Sequence, residues 1–317
     1  MALHPAIQRA LTAASSAPPY YQLPLAQARL GYPARAHPVA VAAVRDTAIP
    51  GPAGALPVRI YTPDGDAPHP ITVFFHGSGF VLLDIDTHDD LCRRLCAGAA
   101  TVVVSVDYRL APEHRYPAAS DDCLAATRWA AQHADSIGGD AARIAVAGDS
   151  AGGCLAAVTA LRARDEGGPD LLGQLLWYPV TDYPSVLTDS YRAFGKGYGL
   201  TEEGMRWFWH QYLADVSVAD HSHVSPLRLL DPAGLPPACV LVPEFDVLRD
   251  EGEAFASRLA LAGVPVHTRR YGGMNHGFLK YAGVLEQADA AIDEGCAWLA
   301  QRFQMQTMGK PAQGLPC

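Results

Sequence analysis

Short apolar runs alternate with longer stretches of helical period along most of the chain. The runs at 71–75, 101–106, 143–147, 172–178 and 239–242 are brief and nearly continuous in apolar residues, the pattern of strands buried on both faces, and 266–271 is read as a further strand. Between and after them, 86–98, 119–133, a stretch opening at Ala151, 250–262 and 284–303 repeat their apolar residues at helical spacing. The last of these puts Leu285, Ala288, Ile292, Cys296, Leu299 and Phe303 on one stripe. Strands and helices in alternation predict a mostly parallel sheet covered by helices on both faces, an α/β architecture. Ahead of it, 39–48 and 56–61 alternate apolar with polar residues around Pro50-Gly51-Pro52-Ala53-Gly54, which predicts an antiparallel hairpin. That hairpin is expected at the sheet edge, where the missing N–H of Pro57 costs no ladder bond.

Two regions stand outside the alternation. Residues 1–38 mix short helical pieces with six prolines, at 5, 18, 19, 24, 33 and 38, and predict an appended helical segment. Between 183 and 225 the alternation pauses, and Thr201 is placed to cap a helix over 201–213. Met205, Phe208, Trp209 and Tyr212 give that helix one wide aromatic face, which serves either core packing or a substrate lid, or both. Beyond Met305 the pattern fades into a tail expected to be loose.

With 317 residues, 49% hydrophobic and 18% charged, the chain has enough apolar side chain for one large core. Its 24 basic and 33 acidic side chains leave a net charge of −9 and no clustered basic face. Nucleic acid and anionic membrane surfaces are therefore excluded as partners. Seven cysteines are scattered without a C-x-x-C pair, as buried thiols are, and neither a zinc site nor a redox pair has its spacing. His221 and His223 lie two apart with no third ligand in view, so no metal is expected. The first residues lack a basic region followed by an apolar run, and no segment is long enough to span a bilayer, so the expected location is the cytoplasm.

The chemistry centres on Gly148-Asp149-Ser150-Ala151-Gly152, where an apolar strand stops at a serine and a helix begins at once. In isolation G-x-S-x-G also describes an ordinary strand-to-helix turn; flanked by a buried strand and a helix, it predicts a nucleophile elbow that holds the Ser150 hydroxyl at a helix N-terminus. A serine needs a base, and the base an acid to fix its tautomer. His276, in the glycine-rich stretch Gly272-Gly-Met-Asn-His-Gly-Phe278, expected as a mobile loop just past a strand, is the candidate base, although histidine also serves packing. Asp246 is the candidate acid, just past the strand ending at Val242 and at the sheet edge where ligands gather. Asp250 competes with it but fits better as a helix-capping residue. Val73-Phe-Phe-His76-Gly77-Ser78-Gly79-Phe80 places glycine-rich backbone after a core strand. Two amides from 77–79, with that of Ala151, could donate to an oxyanion, while a dinucleotide phosphate loop would need a third glycine that is missing. Phe80, Phe208 and Tyr212 are the candidate substrate-binding side chains.

Together, His76-Gly-Ser-Gly-Phe80, Asp107-Tyr-Arg-Leu-Ala-Pro-Glu-His114, Gly148-Asp-Ser-Ala-Gly152, Asp246-Val-Leu-Arg-Asp250 and His276-Gly-Phe278 resemble the hormone-sensitive-lipase-like (family IV) carboxylesterases of the α/β-hydrolase fold. The resemblance spans about 58–303. It implies a triad of Ser150, Asp246 and His276 and oxyanion donors at Ser78, Gly79 and Ala151. It also implies hydrolysis of short- to medium-chain acyl esters, no cofactor, and the option of a homodimer. The division it implies is an N-terminal cap segment over 1–38, a core over 39–182 and 226–305, a cap insertion over 183–225 and a tail over 306–317. The family's three glycines are here Gly77-Ser78-Gly79, so a side chain narrows the pocket. Two other classes share the scaffold: an amidase or peptidase with the same triad, and a non-catalytic small-molecule receptor, which would be expected to lose the histidine.

Overall fold

A computed structural model describes residues 2–30, 39–77 and 79–308. Ser78, residues 31–38 of the expected N-terminal cap segment and 309–317 of the expected tail lie outside the described residues. Eight strands form one sheet: β1 (Ala43–Gly51), β2 (Gly54–Thr62), β3 (His69–Phe75), β4 (Val102–Val106), β5 (Gly139–Asp149), β6 (Leu171–Trp177), β7 (Ala238–Phe245) and β8 (Val266–Asn275). Their spatial order is β1-β2-β4-β3-β5-β6-β7-β8; β2 pairs antiparallel with both neighbours and every pairing from β4 to β8 is parallel.

The helices are α1 (Pro5–Ala14), α2 (Leu25–Leu30), α3 (Asp89–Ala99), α4 (Ala118–Gln132), α5 (Ala151–Asp165), α6 (Asp189–Phe194), α7 (Glu202–Tyr212), α8 (Arg249–Leu261) and α9 (Glu286–Met308). The pleat divides the core between them. Val73, Phe75, Ile144 and Val146 face α4, α5 and α8, whereas Phe74, Ala145 and Ala147 on the same strands face α1, α3 and α9. Central strands are thus apolar on both sides, which is why they stand out in the sequence as unbroken runs.

Three details differ from expectation. Of the hairpin's two strands only β1 is an edge strand, and Pro57 lies in β2, the second strand. Pro57 sits opposite Ala48, and β4 joins the ladder only from Val58, so the absent N–H falls outside the β2–β4 pairing. Gly272 and Gly273, expected in a mobile loop, are inside β8: the Gly273 N–H donates to Glu244 (2.9 Å) and its carbonyl accepts from His4 N–H (2.8 Å). The last helix runs on to Met308. Thr201 caps α7 as its position predicts, its hydroxyl accepting the Gly204 N–H at 3.0 Å. Cys92, Cys96, Cys123, Cys154, Cys239 and Cys296 are buried free thiols, and burial pushes those of Cys96 and Cys296 up to about 12.

Candidate active site

β5 ends at Asp149 and α5 begins at Ala151, leaving Ser150 alone in the turn with φ 54° and ψ −121°. An L-residue adopts so strained a conformation only when its surroundings enforce it. Here the Ser150 N–H donates to the Trp177 carbonyl (2.9 Å), and the Ser150 carbonyl accepts from Cys154 and Val180 (both 3.1 Å). A Cβ at Gly148 would overlap the Gly152 carbonyl, and one at Gly152 would overlap the Phe75 carbonyl at the end of β3. Both glycines are therefore dictated by chain crossing.

Two further strand ends meet this turn. Asp246 follows β7, and His276 follows β8. His276 Nε2 lies 2.9 Å from Ser150 Oγ and Nδ1 lies 2.7 Å from Asp246 Oδ2. Asp246 is 1% exposed, and its other oxygen accepts the Leu248 N–H at 2.9 Å. With Asp246 accepting from Nδ1–H, Nε2 is the acceptor for the serine proton. Such a line can move a proton from an alcohol to an imidazole while the carboxylate holds the tautomer. Asp250 points elsewhere: it accepts the Ser190 N–H at 2.7 Å and pairs with Arg249 at 2.8 Å, tying α6 to α8. Tyr178, which the sequence did not single out, packs its ring edge to face on the imidazole at 4.9 Å.

The turn after β3 approaches from the other side. His76 stacks on Tyr108 at 4.3 Å, and the Tyr108 hydroxyl donates to its carbonyl at 2.7 Å. Burial pulls the His76 pKa down to about 3, so the ring is neutral and structural. The Gly77 N–H donates to Asp149 Oδ1 at 2.7 Å and is occupied. Gly79 has φ 59°, and a Cβ there would overlap the Phe208 ring. Phe208 is covered in turn by Tyr20, stacked at 5.0 Å. Phe80 and Tyr212 stack on each other at 3.9 Å and are 1% and 2% exposed, so their mutual faces are filled, and the pair fastens α7 to this turn. Tyr20 carries no motif, and its place on Phe208 comes from tertiary packing alone.

His221 and His223 pack edge to face at 4.6 Å, and burial, then His221, lowers the His223 pKa. Among the described residues no group of three or more His, Cys, Asp or Glu is placed to hold a metal ion, and no helix is long and apolar enough to cross a membrane.

A family model described as the alpha/beta hydrolase fold matches residues 72–280. The chain is 46% identical to the esterase LipI of Mycobacterium tuberculosis over 80% of each chain. It is 39% identical to an ethyl acetate hydrolase of Pseudomonas putida, over 75% of this chain and 76% of that one. Among solved structures, a hyperthermophilic esterase from Pyrobaculum calidifontis superposes with a TM-score of 0.90 at 37% identity, covering 95% of this chain and 99% of the other. Sheet order, strand-end chemistry and these relatives agree: the chain belongs to the hormone-sensitive-lipase-like family IV of the α/β-hydrolase fold and is a carboxylesterase.

Proposed function

We propose that this carboxylesterase works through Ser150, His276 and Asp246 on esters of short- to medium-chain acids. The observation that carries the reading is the unbroken line from Ser150 Oγ through both ring nitrogens of His276 to Asp246. His276 takes the serine proton as Oγ bonds to the ester carbonyl carbon, and the carbonyl oxygen becomes the oxyanion of a tetrahedral intermediate. Collapse breaks the bond to the alcohol oxygen, which receives that proton from His276. Water, deprotonated by the same ring, then attacks the acyl-enzyme and releases the acid, and the proton returns to Ser150.

The amides of Gly79 and Ala151, with that of Ser78, are the donors this reading assigns to the oxyanion. Its support is that the Gly77 amide is already bound to Asp149, while Ala151 opens α5, where the helix dipole favours negative charge. Residues 1–38 and 183–225 act as the cap; Phe208 standing on Gly79 limits the acyl chain, in keeping with a relative named for ethyl acetate. The six buried free thiols support a reducing, cytoplasmic setting.

A panel of p-nitrophenyl esters of increasing acyl length, with matched anilides, tests the reading. Turnover should peak at short to medium acyl chains and be far slower on anilides. Ser150→Ala should fall to background, a loss on the order of a millionfold, and Asp246→Asn should lose far more than Asp250→Asn. Turnover surviving in Ser150→Ala, or a worse defect in Asp250→Asn, overturns the assignment.

A further inference from the structure

The carboxylate next to the nucleophile has no part in the proton line, yet it touches both halves of the site. Asp149 is 7% exposed. Its Oδ1 accepts the Gly77 N–H at 2.7 Å and faces His88 Nε2 at 3.2 Å. Its Oδ2 accepts the Tyr178 hydroxyl at 3.4 Å. A Cβ on Gly77 would collide with this oxygen, so the turn after β3 lies directly against the carboxylate. The Tyr178 hydroxyl also lies beside the backbone of Leu279, three residues past His276, and the Tyr178 ring backs the imidazole itself. Tyr178 sits at φ 37°, like Ser150 a non-glycine residue held at positive φ. His88 is anchored on its far side, with Nδ1 3.1 Å from the Thr87 hydroxyl.

We propose that Asp149 is a positioning residue that, with Tyr178 and His88, locks the oxyanion turn and the catalytic-histidine loop into one register. The proposal rests on the triad and oxyanion assignments above. Without the carboxylate, Gly77 is left with an unpaired buried N–H, and Tyr178 loses its acceptor; each partner can then rotate independently of the other. The cost falls on the transition state, because oxyanion donors and imidazole must both be in place only when charge develops. Substrate binding, which depends on the cap and pocket walls, is spared. Burial disfavours the charge on Asp149, but the facing His88 and the Gly77 N–H outweigh it and hold the carboxyl below its usual range. An anionic acceptor is thus present at any pH where an esterase works.

The test uses the full-length enzyme and one p-nitrophenyl ester. Asp149→Asn keeps the shape and loses the charge; kcat should fall roughly ten- to a hundredfold with KM within about twofold of wild type. Inhibition by an alkyl trifluoromethyl ketone, which adds to the serine and carries its own oxyanion, should weaken by the same factor, while competitive inhibition by an alcohol of similar size should not change. Tyr178→Phe removes only the hydroxyl and should lower kcat by about three- to tenfold, again at constant KM. If Asp149→Asn does not fold, Tyr178→Phe and His88→Gln carry the test in the same assays. Wild-type kcat in the folded variants, or losses confined to KM, overturn the proposal. The triad reading is judged separately by Ser150→Ala: turnover there defeats that reading whatever Asp149 does, and a dead Ser150→Ala beside a wild-type Asp149→Asn defeats only the brace.

Discussion

Around Ser150 the holding contacts are made by main chain: its own N–H and carbonyl are bonded, and Gly148 and Gly152 admit neighbouring carbonyls. Over Gly79 they are made by side chains: Phe208 stands on the turn, Tyr20 stacks on Phe208, and Phe80 stacks on Tyr212. The first region is fixed by main chain from β3, β5, β6, the start of α5 and the segment just past β6. The second is assembled from segments far apart in sequence and held by ring faces. Chemistry built from backbone resists substitution until a residue no longer fits, whereas a wall built from rings can be reshaped one side chain at a time.

The sharpest way to break that contrast is Gly152→Ala. Its Cβ would overlap the Phe75 carbonyl and crowd that of His76, neither of which can yield without moving β3. A loss of about 3 kcal/mol or more in denaturant unfolding, with activity at background, is expected. A stable, active variant would show the elbow to be softer than described. Next in size is the wall of rings. Phe208→Ala should shift the ratio of kcat/KM between long and short acyl esters by about 1–3 kcal/mol in favour of the longer chain, and Tyr20→Ala should move it less but in the same direction. An unchanged ranking in both variants would remove these rings from substrate selection.

The smallest effect concerns Glu251, on α8, which holds the segment that leads away from the first region. Its Oε1 accepts the N–H groups of Thr181 (2.8 Å) and Asp182 (3.3 Å), where the chain leaves the sheet for residues 183–225. Burial holds its carboxyl pKa well above the usual range. The folded state therefore keeps a proton that the unfolded chain releases, and stability contributed by this group is lost as pH rises past the unfolded value near 4.5 toward the folded one. Glu251→Gln keeps the accepting oxygen without the titration, so its unfolding free energy should decline less between pH 5 and pH 8 than that of wild type. Parallel curves would show the carboxyl to be ionised when folded.

Much of the sheet and the triad candidates were legible in sequence, for local reasons. Doubly buried strands leave unbroken apolar runs, and Ser150 and Asp246 follow such strands directly, whereas His276 follows β8, an edge strand with an exposed polar stretch at 267–270. Asp149 was in plain view inside the serine motif, yet its role depends on Gly77 and Tyr178, which only the β3-β5-β6 neighbourhood brings together. Tyr20 gave no signal, because ring stacking with Phe208 has no spacing rule. Gly272 and Gly273 misled in the usual direction: glycine suggested mobility, but here it lets β8 run past Glu244 and accept the N-terminal segment.

The six buried thiols have a practical corollary. Sulfur at these positions is shielded from reagent and protonated near neutral pH, so alkylation has to wait for the surrounding helix or strand to open. Labelling kinetics would then act as a stopwatch for breathing: Cys92 and Cys96 time the departure of α3, Cys154 that of α5, and Cys239 the opening of β7 at its start. The protein thus carries its own set of internal reporters, with no label needed near Ser150 or Gly79.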